Sequence, residues 1–164
     1  MKKVIHIHAI FLFVVFLSTG LFAQSGKPQV ENSKITIPIN TKLIISVENN
    51  NGTLNNFKLL EKEKVNKPID MMSSFEDIEK EEVVSNEIEL SFSYADWLDS
   101  KMIVLTTVQH LEQTIHFKAK IKLKDSNRYF ETSIVDVYPN VISMEQWQDD
   151  IESIILYDFV IVED

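Results

Sequence analysis

Cysteine is absent from the 164-residue chain. The protein therefore forms no disulfide bond, carries no thiol nucleophile and offers no thiolate to a metal ion. The same absence excludes a lipoprotein anchored through an amino-terminal cysteine. If the chain is exported, packing and hydrogen bonding alone must hold its fold together.

Glycine is also scarce, with three residues in the whole chain. Gly20, Gly26 and Gly52 stand far apart, whereas loops that cradle phosphate groups need clustered glycines for close backbone approach. A Walker loop, a dinucleotide-binding fingerprint and a Gly-x-Ser-x-Gly nucleophile elbow are all missing. The sequence thus predicts no cofactor and no catalytic residue.

Positive charge is outweighed, with 16 Lys and Arg against 25 Asp and Glu. Residues 1–23 contain only Lys2 and Lys3 as charged side chains, so their removal leaves 14 against 25, a net charge of −11. A chain this acidic repels a phosphate backbone, and we expect no nucleic-acid partner.

The amino terminus has the three parts of a secretory signal. Lys2 and Lys3 precede an apolar run over residues 4–17, and small or polar residues follow up to Ala23. This order predicts a signal peptide over residues 1–23, cut after Ala23 or Gln24, and a periplasmic or secreted protein. The alternative is an uncleaved membrane anchor, because residues 4–23 are long enough to span a bilayer of about 30 Å.

The remaining chain is predicted to hold one domain. Residues 24–34 are polar and indicate a flexible lead-in, and residues 35–164 are long enough for a single core. Apolar and polar residues alternate in short runs separated by turn residues, without strand–helix alternation. We predict a mostly β fold, an antiparallel β-sandwich (Ig-like or jelly-roll-like) with one or two short helices. A partly open β-barrel is the alternative.

Strands are expected over residues 35–39, 42–48, 54–60, 87–94 and 102–108, with a turn at 49–52 and the least β-like region over residues 61–86. Three helical pieces are expected: one from Ser73 to about Glu82, a turn over residues 96–99, and one after Ser143 in which Met144, Trp147 and Ile151 share a face. Residues 153–162 indicate a last strand buried on both faces.

A β-hairpin is the clearest local pattern. Residues 115–123 alternate strictly, residues 125–128 make the turn, and residues 129–138 return. A two-residue loop at Ser126 and Asn127 would place Leu123 opposite Phe130 and Lys122 opposite Glu131. Each such cross-strand pair is worth roughly 0.2–1 kcal/mol.

His110, Glu112 and His116 are the one group with metal-ligand residue types. Their even spacing puts all three on one face of an unbroken strand, as a zinc site would require. The competing interpretation is two half-exposed histidines that flank a loop. Asp96 and Asp99 beside Trp97 suggest a carbohydrate site, with ordinary packing as the alternative.

Lysines 118, 120, 122 and 124 form the one basic stripe on the acidic chain. As a binding surface, Lys118, Lys120, Lys122 and Lys124 would contact an anionic protein or envelope component. Alternatively, the stripe is a solvated face that pairs with Glu131 or protects an edge strand from aggregation.

The preferred hypothesis is a non-enzymatic exported module that binds another protein or an envelope component. One alternative is an immunity or inhibitor protein, whose acidity suits a basic partner. Another is a small metal-dependent hydrolase that uses His110 and His116.

Overall fold

The computed structural model describes residues 27–70, 86–97 and 100–162. These residues form eleven strands: β1 Gln29–Glu31, β2 Lys34–Pro38, β3 Thr41–Asn50, β4 Thr53–Lys64, β5 Ile69–Asp70, β6 Glu87–Trp97, β7 Ser100–Gln109, β8 Ile115–Leu123, β9 Tyr129–Thr132, β10 Ser143–Trp147 and β11 Ile151–Ile161. In these ranges there is no helix, and hence none long and apolar enough to cross a membrane.

The strands belong to one antiparallel sheet that bends back on itself without closing into a barrel. Its main path runs β1-β2-β11-β4-β3-β6-β7-β10, while β8 pairs with β11 and β9. Only the short β5 pairs in parallel, with β6. The predicted mostly β, sandwich-like fold is confirmed.

The main core lies between the two halves of the bent sheet. Leu43, Leu90 and Phe92 come from the β3–β6 half, and Phe117 and Leu156 come from the β8–β11 half. All five side chains are fully buried. The alternation of Ile88, Leu90 and Phe92 that the sequence shows therefore marks a true inward face.

Aromatic rings pack against one another in both halves of the core. The ring of Phe159 lies 4.8 Å from that of Phe57 on β4 and 4.7 Å from that of Phe117 on β8. In the other half, Phe92 and Trp147 meet edge to face at 6.2 Å. Aromatic pairs of this geometry add to the energy of burial.

The β3–β4 turn forms as the sequence predicts. Asn51 and Gly52 both adopt positive φ angles, of 53° and 83°, which the short Asn side chain and glycine tolerate. The Asn49 side chain accepts a hydrogen bond from the Gly52 nitrogen at 3.0 Å. β4 then continues to Lys64 and β5 lies at Ile69–Asp70, so the prediction of little β structure over residues 61–86 is wrong at these two places.

The helix predicted after Ser143 is wrong. Ser143–Trp147 is strand β10, which pairs with β7 along its whole length. In an extended backbone Met144 and Trp147 point to opposite faces: Trp147 packs against the main core, and Met144 against a second cluster of Ala95 and Val104. Pairing with β7 overrides the local helical spacing.

Two further predictions on secondary structure need correction. Asp96 and Trp97 belong to β6 and not to a helical turn, because the β6–β7 ladder continues to Trp97 opposite Ser100. β11 is not buried on both faces, since Glu152, Asp158 and Val160 are exposed while Ile154, Leu156 and Phe159 are buried. The predicted helix over residues 73–82 and the signal peptide lie outside the described residues.

The predicted hairpin exists with a different register. Lys122 lies opposite Tyr129, Ile121 opposite Phe130, and Lys120 opposite Glu131, which is two residues away from the expected pairing. The connection is longer than two residues and contains Asp125 at a φ of 64°. The returning strand β9 ends at Thr132, and β1 forms inside the predicted lead-in.

Candidate functional site

Residues 133–142, which join β9 to β10, form an irregular segment fastened to the sheet. Val137 is fully buried and exchanges two backbone hydrogen bonds with Ile115, of 2.9 and 3.0 Å. The backbone nitrogen of Val135 donates to the Glu145 carboxylate at 2.6 Å, and that of Asn140 donates to the Gln109 carbonyl at 2.9 Å. The segment is thus an ordered loop, held at both ends and in its middle.

This fastened segment presents apolar side chains to solvent. Val135, Tyr138 and Val141 are 56%, 61% and 54% exposed and together line an open cavity of about 400 Å³. We refer to these three residues as the apolar patch. Partly buried Ile142 and Met144 form the floor of the same cavity. Contiguous exposed apolar surface on a soluble domain is typical of a binding site.

Gln109, at the end of β7, organises the backbone beneath the patch. Its side chain is fully buried, and its amide nitrogen donates to the carbonyls of Gln113 at 3.0 Å and Val137 at 3.2 Å. Its amide oxygen accepts from the Leu111 nitrogen at 2.7 Å. One side chain therefore satisfies three backbone groups of the β7–β8 loop and the 133–142 segment.

The two histidines of the described residues also reach this segment, each alone. His110 Nδ1 lies 2.9 Å from Asn140 Oδ1, and His116 Nδ1 lies 2.8 Å from Asp136 Oδ1. Glu112 is exposed in the loop between them. Within the part of the chain that the structure covers, no three His, Cys, Asp or Glu side chains are gathered so as to hold a metal ion. The histidines instead help to position the patch.

Each lysine of the predicted basic stripe is paired with a carboxylate. The Nζ–oxygen distances are 3.0 Å for Lys118–Asp158, 3.0 Å for Lys120–Glu131, 2.9 Å for Lys122–Glu152 and 3.3 Å for Lys124–Asp150. We refer to these four pairs as the ion-pair ladder. Their charges balance, so the outer face of β8 has much less positive potential than the sequence suggests.

The ion-pair ladder raises the pKa values of its lysines and lowers the pKa of Glu131, so both partners stay charged over a wider pH range. The hydrogen bond to Asp158, and then its charge, raise the pKa of Lys118, and Glu131 acts in the same way on the pKa of Lys120. The pKa of Glu131 is lowered, first by the hydrogen bond from Tyr157 and then by that from Lys120. All of these groups face water, so the ladder stabilises the fold only modestly.

The predicted carbohydrate group of Asp96, Trp97 and Asp99 lies largely outside the described residues, so it stays a prediction. Asp96 lies exposed on β6, where it borders an open cavity of about 280 Å³ with Tyr94 and Lys101. Asp99 and the side chain of Trp97 lie outside what the structure describes.

Sequence reasoning missed both Gln109 and the apolar patch. A buried glutamine resembles any polar residue at a strand end. The patch did leave a signal, because Tyr138 and Val141 flank Pro139 and Asn140, and large apolar residues are unusual beside a turn.

No family model matches the chain, and no curated protein or solved structure matches it with significance.

Proposed function

We propose that the protein is a non-enzymatic exported module that binds another protein through the apolar patch. The observation that carries this proposal is the combination of exposure and order at residues 133–142. Val135, Tyr138 and Val141 face solvent, although hydrogen bonds hold the backbone that bears them. A surface ordered in advance loses little conformational entropy on binding.

The residue types of the patch support a protein partner. Tyrosine is enriched among the residues that contribute most to binding, and valine side chains around it exclude water. The rim carries Asp136 and Glu145, which lie beside the patch and are each held by a hydrogen bond. An apolar centre with an acidic rim suits a partner that has an apolar contact surface surrounded by basic residues.

A paired-variant capture experiment tests the proposal. Tagged protein would be incubated with envelope and secreted extracts of the source cells, next to the variant V135D/Y138D and the control Leu60→Asp. Leu60 is 52% exposed and lies on β4, outside the patch. We expect a stoichiometric partner that the control retains and the patch variant loses.

Two outcomes would contradict the proposal. Capture that survives in V135D/Y138D would remove the patch as the contact surface. If that partner were lost in a Lys118/Lys120/Lys122→Glu variant instead, the binding surface would be the outer face of β8. Absence of a stoichiometric partner in every arm would argue against a protein-binding module.

An inhibitor of a basic partner is the second candidate. Glu61, Glu63 and Glu89 line an open cavity of about 180 Å³ whose one lysine, Lys42, pairs with Glu89 at 2.9 Å. Acidic side chains therefore outnumber basic ones there. Binding at this surface would weaken steeply with added salt, whereas binding at the apolar patch would not. The salt dependence of the captured complex separates the two candidates.

A further inference from the structure

A further recess lies where β2, β9 and β11 contribute side chains to the surface. It is an open cavity of about 320 Å³ whose walls are formed by Gln29, Thr36, Pro38, Tyr129, Glu152 and Ser153, with Lys27 at one side. It shares no residue with the apolar patch or with the cavity beneath it.

The recess is built on one row of residues that crosses four strands. Ser153 on β11 lies opposite Pro38 on β2 and Lys122 on β8, and Lys122 lies opposite Tyr129 on β9. Tyr129 Oη lies 3.3 Å from Ser153 Oγ, although β8 stands between their strands. Neighbouring strands are about 4.8 Å apart, so the tyrosine side chain must lie across β8 to reach that far.

The resulting surface is apolar on its faces and polar on its edges. Tyr129 is 39% exposed, so part of its ring faces solvent, and the ring of Pro38 lines the same recess. Around them are the hydroxyls of Thr36 and Ser153, the amide of Gln29 and the carboxylate of Glu152. Aromatic rings with a polar group at the edge suit ligands that are apolar on one side and hydrated on the other.

Lys122 and Lys27 bring two positive charges to the recess, and Glu152 brings one negative charge. Lys122 Nζ lies 2.9 Å from Glu152 Oε2, so the carboxylate is partly neutralised but keeps free lone pairs. A carboxylate held in this way accepts hydrogen bonds from ligand hydroxyls without attracting a cation strongly. The recess is therefore matched to hydroxyl groups better than to ammonium groups.

We propose that this recess binds one sugar ring of a neutral oligosaccharide. A pyranose ring has a face of C–H groups, which would stack on Tyr129, and a rim of hydroxyls. Those hydroxyls would bond Glu152, Ser153 and Thr36. The inference is independent of the proposed protein-binding function, because the two surfaces share no residue.

The test is isothermal titration calorimetry, in which the purified protein is titrated with each member of a panel of neutral oligosaccharides. We expect saturable binding of at least one member. Tyr129→Ala should weaken that binding roughly tenfold or more, because it removes the stacking surface. Tyr138→Ala is the matched control, since Tyr138 is a more exposed tyrosine at the apolar patch, and its affinity should equal that of the wild type.

Two further variants, Tyr129→Phe and Glu152→Ala, keep the test decisive if Tyr129→Ala folds poorly. Tyr129→Phe keeps the ring and removes the hydroxyl that contacts Ser153, so it should bind within a few-fold of the wild type while Glu152→Ala binds more weakly. Binding of no neutral oligosaccharide would overturn the proposal. Equal affinities of wild type and a folded Tyr129→Ala would also overturn it, even if the protein partner were still captured.

Discussion

Lys120 lies directly opposite Glu131 in the β8–β9 ladder, with its Nζ 3.0 Å from Glu131 Oε1. The other oxygen of that carboxylate accepts a hydrogen bond of 2.7 Å from the Tyr157 hydroxyl. The same Lys120 Nζ stands 4.9 Å from the centre of the Tyr157 ring. The three side chains thus form a closed group in which each contacts both others.

This group predicts how stability depends on pH. The pKa of Glu131 is lowered on folding, so its contribution is present above the usual value of 4.5 and is lost as the pH falls through the folded-state pKa. The pKa values of the four ladder lysines are raised, so their contribution is present below 10.5 and is lost as the pH rises through the folded-state values. We expect the free energy of unfolding, measured in urea, to decline on both sides of a plateau.

The variant K120Q/E131Q tests which groups cause these declines. It removes one ion pair while it leaves the other three, so its stability should change less with pH at both ends than that of the wild type. High salt should reduce the plateau of the wild type more than that of the variant, because exposed pairs are screened. An unchanged pH profile in the variant would contradict the assignment to Glu131 and Lys120.

The hairpin register is tested by double-mutant cycles. Substitution of Lys120 and Glu131 by alanine, singly and together, should give a favourable coupling energy in the free energy of unfolding. The same cycle for Lys122 and Glu131 should give none, because Lys122 pairs with Glu152. Coupling between Lys122 and Glu131, without coupling between Lys120 and Glu131, would contradict the observed register and support the two-residue loop predicted from the sequence.

The register error shows what alternation in a sequence can and cannot establish. Alternating residues identify which side chains share a face, and this was right for Phe117, Ala119 and Ile121. A slip of two residues keeps every side chain on its face, so the pattern does not distinguish the two registers. The turn decides between them, and its conformation at Asp125 is not encoded by residue type alone.

β10 shows a second limit of sequence reasoning. Met144 and Trp147 are three residues apart, which suits one face of a helix as well as opposite faces of a strand. The strand is favoured because it pairs with the edge of β7 that β6 does not cover, and β7 is distant in sequence. The apolar patch was missed for a related reason, because the exposure of Tyr138 depends on Val137 being fixed beside Ile115.

Export predicts a processed amino terminus. Protein recovered from the medium or periplasm of the source cells should begin at Gln24 or Ser25, by mass and amino-terminal sequencing. Ala23→Arg should block the cut after residue 23, because the peptidase needs a small residue there. Ala9→Leu, within the apolar run, is the control and should be processed normally. A full-length chain that stays in the membrane fraction would support the anchored alternative.

Phe159 should be the most sensitive position of the aromatic core. It is 1% exposed and contacts both Phe57 and Phe117. Phe159→Ala leaves a cavity between Phe57 and Phe117, so it should lower the free energy of unfolding by about 3–5 kcal/mol in urea titrations. Phe130→Ala, at a phenylalanine that is 43% exposed, should cost far less. Equal costs would contradict the position of the core.

Gln109 links the stability of the fold to the order of the apolar patch. Gln109→Leu keeps the volume but removes the bonds to the backbone of Leu111, Gln113 and Val137. The Val137 carbonyl keeps its bond from the Ile115 nitrogen and Gln113 is exposed, so the buried group that loses its partner is the Leu111 nitrogen. Because one such group costs about 1–3 kcal/mol, the free energy of unfolding should fall by that amount. The amide hydrogen of Val137 should also exchange faster. Gln146→Leu, at an exposed position on β10, should change neither quantity, so equal behaviour of the two variants would show that the patch is held without Gln109.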